Sequence, residues 1–199
     1  MAHMHLKPFI AEFVGTFFLA FAVWVSIAFV IPVSTAVIAG LTLGLFVYTV
    51  GPISGAHLNP AVTIGLLSAK KISFPDAMGY IVAQLVGAIV VLVVVSNIHG
   101  MVPMPSADNS LRVAAAEAFG AGILAFGVCS AVMKKIHANV SGLVVGGSLL
   151  LGVLCAGPFS NAVLNPAVAF AIGSFSPAYV VGPLIGGIVG VWLCVFLYE

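Results

Sequence analysis

The chain has 199 residues, of which 62% are hydrophobic and 6% charged, with a mean hydropathy of +1.29 and a formal net charge of +1. So few polar side chains cannot cover a water-soluble globule, and the lipid bilayer is the implied solvent. A near-neutral chain without a Lys/Arg cluster also excludes a nucleic-acid surface and a polybasic lipid-binding arm.

A spanning helix needs about 20 apolar residues for a hydrocarbon core roughly 30 Å thick. The length therefore fits several spans within one membrane domain, residues 1–199, and leaves almost nothing outside it. The opening Met1-Ala-His-Met-His-Leu-Lys7 runs straight into an apolar stretch too long for a cleaved signal peptide, which reads as a retained first helix. His3 and His5 read as a free, solvated tail in preference to a metal-binding tip. Hydrophobic runs then fall at about 8–31, 33–51, 75–98, 112–133, 140–157 and 177–198, predicting six spans. Pro32 breaks the first run, and Ser73-Phe-Pro-Asp76 and Ser176-Pro177 carry the serine and early proline of helix starts. Two further apolar segments, 60–70 and 166–174, reach only halfway across at about 1.5 Å per residue and read as re-entrant half-helices.

The five lysines occupy three places: Lys7, the pair Lys70 and Lys71, and the pair Lys134 and Lys135. Six spans put all three places on one side, which the positive-inside rule assigns to the cytoplasm together with both termini. The stretch Gly100–Asn109 and Arg112 then lie outside, with Arg112 alone opposing the bias. Cys129, Cys155 and Cys194 sit apart in apolar runs, without metal-site spacing, and read as packing residues. His99 and His137 fall at span ends and read as solvated.

An internal repeat organises the chain. Ala11-Glu12-Phe-Val-Gly15 recurs as Ala116-Glu117-Ala-Phe-Gly120, an offset of 105 (117 − 12), and Leu58-Asn-Pro-Ala-Val62 recurs as Leu164-Asn-Pro-Ala-Val168, an offset of 106 (165 − 59). Each half, approximately 8–98 and 112–198, holds three spans and a half-helix. Three is odd, so the second copy enters from the opposite face, and an inverted repeat places its functional site near the midplane.

Asn59-Pro60-Ala61 and Asn165-Pro166-Ala167 each open a half-helix. Asparagine suits the N-cap and proline the first helical position. One such triplet would be an ordinary helix cap. Two copies related by the repeat bring two positive dipole ends and two side-chain amides to one small volume, where a water oxygen finds N–H donors and a cation meets a barrier.

These residues give the chain its resemblance to the aquaporin/major intrinsic protein family, which covers essentially all of it. Ser54-Gly-Ala-His-Leu-Asn-Pro-Ala-Val-Thr63 is similar to the family's first pore loop, Gln84-Leu-Val-Gly-Ala88 to its third helix and Gly182-Pro-Leu-Ile-Gly186 to its sixth. The resemblance implies an all-α membrane protein of six transmembrane helices plus two re-entrant half-helices, a right-handed bundle, a pore in each subunit and a homotetramer. Gly15, Gly87, Gly120, Gly142, Gly146, Gly182, Gly186 and Gly190 independently suggest close helix crossings.

Glu12 and Glu117 are the acids placed deep inside predicted spans, where a carboxylate is costly unless paired. Support for the irregular backbone of a pore loop, the role ascribed to the matching family glutamates, is favoured over a proton relay. His57 matches a pore-loop histidine and is expected to hydrogen-bond within its loop and offer its backbone carbonyl to the lumen. The chain departs from the family after the second motif, where Val168-Ala169 stands in place of the usual arginine. The resemblance then places the outer filter at Ala39, Val153, Ala162 and Val168, an apolar set without fixed charge that is expected to form a wide opening. The Arg-Asp pair of typical glycerol channels is also missing. No P-loop, catalytic-triad pattern or metal-ligand cluster points to an enzyme or a cofactor. The expected activity is passive conduction of water or small uncharged solutes through the cell membrane. The alternatives are a gas, ammonia or peroxide conduit, or a poorly conducting structural protein.

Overall fold

The structure, a computed structural model, describes residues 6–29, 31–99 and 107–199; His3, His5 and residues 100–106 lie outside them. Among the described residues all regular structure is helical: α1 (Leu6–Ala28), α2 (Thr35–Thr49), α3 (Gly51–Ser54), α4 (Pro60–Ser68), α5 (Phe74–Ile98), α6 (Leu111–Val132), α7 (Ser141–Ala156), α8 (Pro166–Ala171) and α9 (Pro177–Tyr198). Helices α1, α5, α6 and α9 are long and apolar enough to cross a membrane, as is α7 with the 3-10 turn before it. The second predicted span is shorter than expected, because α2 has only 15 residues. It rises about 22 Å at 1.5 Å per residue, and the four-residue α3 extends the same crossing after a break at Val50.

Local chemistry sets the other boundaries. Ser34 and Ser110 accept hydrogen bonds from the third residue of α2 and α6, while Ser73 and Asp76 bond reciprocally at the start of α5. Ser176 holds the cap position of α9 without capping it through its side chain; Asn109 Oδ1 instead accepts from Ala178 N at 3.0 Å. Both half-helices end before the predicted 70 and 174. Lys70 turns into the left-handed region at φ 56°, its N–H bonding Leu67 O while the Lys71 N–H bonds Leu66 O, and this closes α4. Gly173, at φ 76°, ends α8 similarly.

Packing relies on missing side chains. Gly40 and Gly44 on α2 face the carbonyls of Gly146 and Gly142 on α7, and a β-carbon at either would lie 2.8 or 2.7 Å from those oxygens. Gly182, Gly186 and Gly190 on α9 meet the backbone of Ala114, Ala118 and Gly122 on α6 in the same way. In lipid, where apolar burial gives little drive for association, such backbone approach supplies the van der Waals contact. Each half-helix packs against the other half of the chain, α4 on α9 and α8 on α5 and α1. The two half-helix N-termini therefore meet inside the bundle.

Candidate pore and its loop supports

Asn59 and Asn165 are 2% and 3% exposed and make reciprocal bonds. Asn59 Oδ1 accepts from Ala61 N at 2.8 Å, capping α4, while its Nδ2 donates to Leu164 O at 2.9 Å. Asn165 Oδ1 accepts from Ala167 N and Val168 N at 3.0 and 3.3 Å, and its Nδ2 donates to Leu58 O at 2.9 Å. Each amide thus caps its own half-helix and ties down the other loop. An NH2 group carries two hydrogens, so each asparagine keeps one N–H without a protein partner among the described residues.

The loops that deliver these asparagines are strained in matching places. Ala56 and Leu58 have φ of 49° and 47°, and Ala162 and Leu164 have 49° and 57°. Left-handed backbone at a residue with a side chain costs on the order of 1–2 kcal/mol, so something must hold it. Glu12 Oε1 accepts from Ser54 Oγ at 2.7 Å and His57 N at 2.9 Å, and Oε2 accepts from Leu58 N at 2.7 Å and Gln84 Nε2 at 2.8 Å. Glu117 Oε1 accepts from Ser160 Oγ at 2.8 Å and Val163 N at 3.0 Å, and Oε2 accepts from Leu164 N at 2.7 Å. Charge-assisted bonds of this length are about twice as strong as neutral ones. They also give the loop N–H groups the partners that hydrocarbon would deny them. Leu58 and Leu164 then lie against Gly15 and Gly120, where a β-carbon would collide with them.

His57 is buried, its Nδ1 lying 3.2 Å from Thr63 Oγ1 and its ring edge-on to Tyr80 at 5.1 Å. His57 thus bonds to the half-helix α4 that its loop leads into, not within the loop itself.

A cavity of about 40 Å3, measured as the space open to the centre of a water molecule, runs past both asparagines. A single water needs roughly 10–15 Å3 on that measure, so a few waters fit. All four residues assigned to the filter, Ala39, Val153, Ala162 and Val168, line this cavity, as does His57. Sequence reasoning missed the large aliphatic lining from Leu19, Leu43, Leu124 and Leu149, and it missed the polar Asn161. Glu12 and Glu117 are not among the lining residues and stand behind the loops. A wider recess of about 740 Å3 lies among Val47, Pro52, Val128, Lys134 and His137. Lys71 Nζ pairs with Glu199 Oε1 at 2.7 Å and Lys135 Nζ reaches Tyr198 O at 3.4 Å, so both lysine pairs share an end of the bundle with the close of α9. Arg112 lies over the Phe159 ring at 5.2 Å.

A membrane-embedded helical bundle with two half-helices meeting at a narrow internal cavity defines the class: an all-α membrane channel. The chain belongs to the major intrinsic protein family, whose model matches residues 2–194. It is 33% identical to nodulin-26 of Glycine max over 210 residues, covering 94% of this chain and 76% of the relative. It is 35% identical to a probable aquaporin of NIP type from Nicotiana alata over 213 residues, covering 94% and 76%. Its fold is similar to the X-ray structure of the aquaglyceroporin from Plasmodium falciparum, with a TM-score of 0.72 at 25% identity over 98% of this chain and 96% of that one. Membership of this family makes the protein a multi-pass membrane transporter and not an enzyme.

Proposed function

We propose that the chain is a passive channel for water and small uncharged solutes, driven by their own gradients, with its narrowest chemistry between Asn59 and Asn165. The reciprocal amide bonds at 2.9 Å on the wall of one cavity carry the reading. A passing oxygen accepts from the free N–H groups, while the two helix N-termini oppose a cation. Ala39, Val153, Ala162 and Val168 form the outer filter and, with no bulky or charged member, admit solutes larger than water. Glu12, Glu117 and His57 support the loops. The inverted repeat joins 8–98 and 112–198 in one domain that assembles as a homotetramer in the cell membrane, both termini cytoplasmic. Exposed Leu41, Leu143 and Phe196 suit lipid or neighbouring subunits.

The test is stopped-flow light scattering of proteoliposomes in gradients of an impermeant osmolyte and of urea or glycerol. Faster shrinkage than empty vesicles, followed by solute-driven reswelling, supports the proposal; behaviour equal to empty vesicles overturns it. The aliphatic lining favours one second reading, in which the constriction sheds water and passes chiefly gas or ammonia. Ammonia flux without water flux in the same vesicles would select it.

A further inference from the structure

Asn161 stands one residue before Ala162 and lines the cavity. Its place is fixed from two sides. The backbone N–H donates to the Tyr179 hydroxyl at 2.9 Å, and Nδ2 donates to the fully buried Ser174 Oγ at 3.0 Å. That leaves Oδ1. Among the described residues, the side-chain atoms that are both sealed from solvent and unpaired are Thr16 Oγ1 and Gln84 Oε1. Among the described residues Asn161 Oδ1 has no protein partner, and, not being one of these sealed atoms, it is reached by solvent on a residue that lines the cavity. The surrounding filter positions are apolar, and Thr35, the other polar side chain near this mouth, is already bonded to Ser26 Oγ at 3.0 Å.

The repeat separates this side chain from the needs of the loop. Ser54-Gly55-Ala56 and Ser160-Asn161-Ala162 correspond at an offset of 106 (160 − 54), and both serines bond their glutamate and the N–H two residues on. Glycine fills the matching place, so the carboxamide is an addition confined to one mouth of the channel.

Building on the channel reading, we propose that Asn161 is a specificity-determining residue of the outer filter, where its Oδ1 gives N–H- and O–H-bearing neutral solutes, small amides and polyols, a fixed acceptor. Where a family arginine would supply a donor and a charge, this chain supplies an acceptor without charge. Water crossing the same stretch can bond to the waters ahead of and behind it. A urea or glycerol that fills the filter has only the wall, and so depends more on Oδ1.

The test uses the full chain in proteoliposomes. Asn161→Leu, close to isosteric, should lower the ratio of urea and glycerol permeability to water permeability roughly fivefold, the factor for one net hydrogen bond. A merely structural asparagine would scale all three fluxes together. Asn161→Cys gives a readout independent of that variant's folding. With the half-buried Cys155 replaced by alanine in both proteins, an impermeant methanethiosulfonate should cut its flux several-fold and leave the parent, whose Cys129 and Cys194 are buried, unchanged. Unaltered ratios in Asn161→Leu or an unblocked cysteine variant would each overturn the assignment while leaving the channel reading standing; a wild type that conducts water yet excludes both solutes would overturn it together with the wide filter, leaving a water channel. If wild-type vesicles conduct nothing above empty ones, the channel reading itself is what fails.

Discussion

Replacing Glu117 by glutamine removes one oxygen from a carboxylate that serves three donors. The retained amide oxygen can keep Ser160 Oγ and Val163 N, which share Oε1 in the native loop. The new NH2 then faces the Leu164 N–H, which donated to Oε2 at 2.7 Å. Two donors now point at each other beside a backbone already in the left-handed region, at φ 57°. A buried unsatisfied donor costs about 1–3 kcal/mol, and the remaining bonds lose their charge assistance. Glu12→Gln faces the same clash at the Leu58 N–H and a second one at Gln84 Nε2, which Gln84 relieves only by turning its buried, unpaired Oε1 to the new amide and giving up its bond to Thr63 Oγ1. Each variant should therefore be less stable than the wild type by about 1–3 kcal/mol. Equilibrium unfolding in mixed micelles measures the difference, and osmotic flux of the same preparations shows what survives. Equal stability of both variants with the wild type would refute the loop-support role. A stable variant with a strongly altered pH dependence of flux would favour a proton relay instead.

Asn165→Asp replaces the Nδ2 donor to Leu58 O with a second carboxylate oxygen and puts a negative charge where the two positive helix ends meet. The variant should therefore leak cations, and an ion-tight variant would contradict the central placement. Val168→Arg should reduce urea and glycerol flux more than water flux by returning a bulky donor and charge to the cavity wall; equal fluxes before and after would dismiss the wide-filter expectation. Cysteines introduced at Ser106 and Ser68 should label with an impermeant thiol reagent outside intact cells at Ser106 but not at Ser68, and the reverse pattern would invert the proposed orientation.

The positions that carry helix-end or loop chemistry were legible in the sequence because their residue types are unusual for a membrane interior. The paired Asn-Pro-Ala triplets and the two buried glutamates occur as caps and loop supports, and the four residues assigned to the filter share one cavity wall. The lining leucines were not legible. Leu41 and Leu43 stand two apart on α2, one 70% exposed and the other 2% exposed, yet hydropathy scores them alike. In a soluble helix polar residues mark the outer face, but here lipid and lumen wall both accept leucine, so the inward stripe carries no compositional mark. The left-handed turns at Leu58 and Leu164 were hidden for another reason. Leucine does not favour that backbone, and it is held there by Glu12 and Glu117 from distant helices and by space at Gly15 and Gly120. Asn161 has no counterpart in the repeat, whose matching residue is Gly55, and so fell outside the pattern that exposed its neighbours.

The central claim is that this chain conducts neutral solutes down their gradients through a midplane that refuses ions. One preparation of proteoliposomes, carrying a pH-sensitive dye inside and monitored at once for volume and internal pH, tests both halves together. The account predicts solute and water flux that grows in proportion to the imposed gradient, with no proton leak above that of empty vesicles when a potential is applied. Flux that is absent, or that appears only when a proton gradient drives it, would contradict the account.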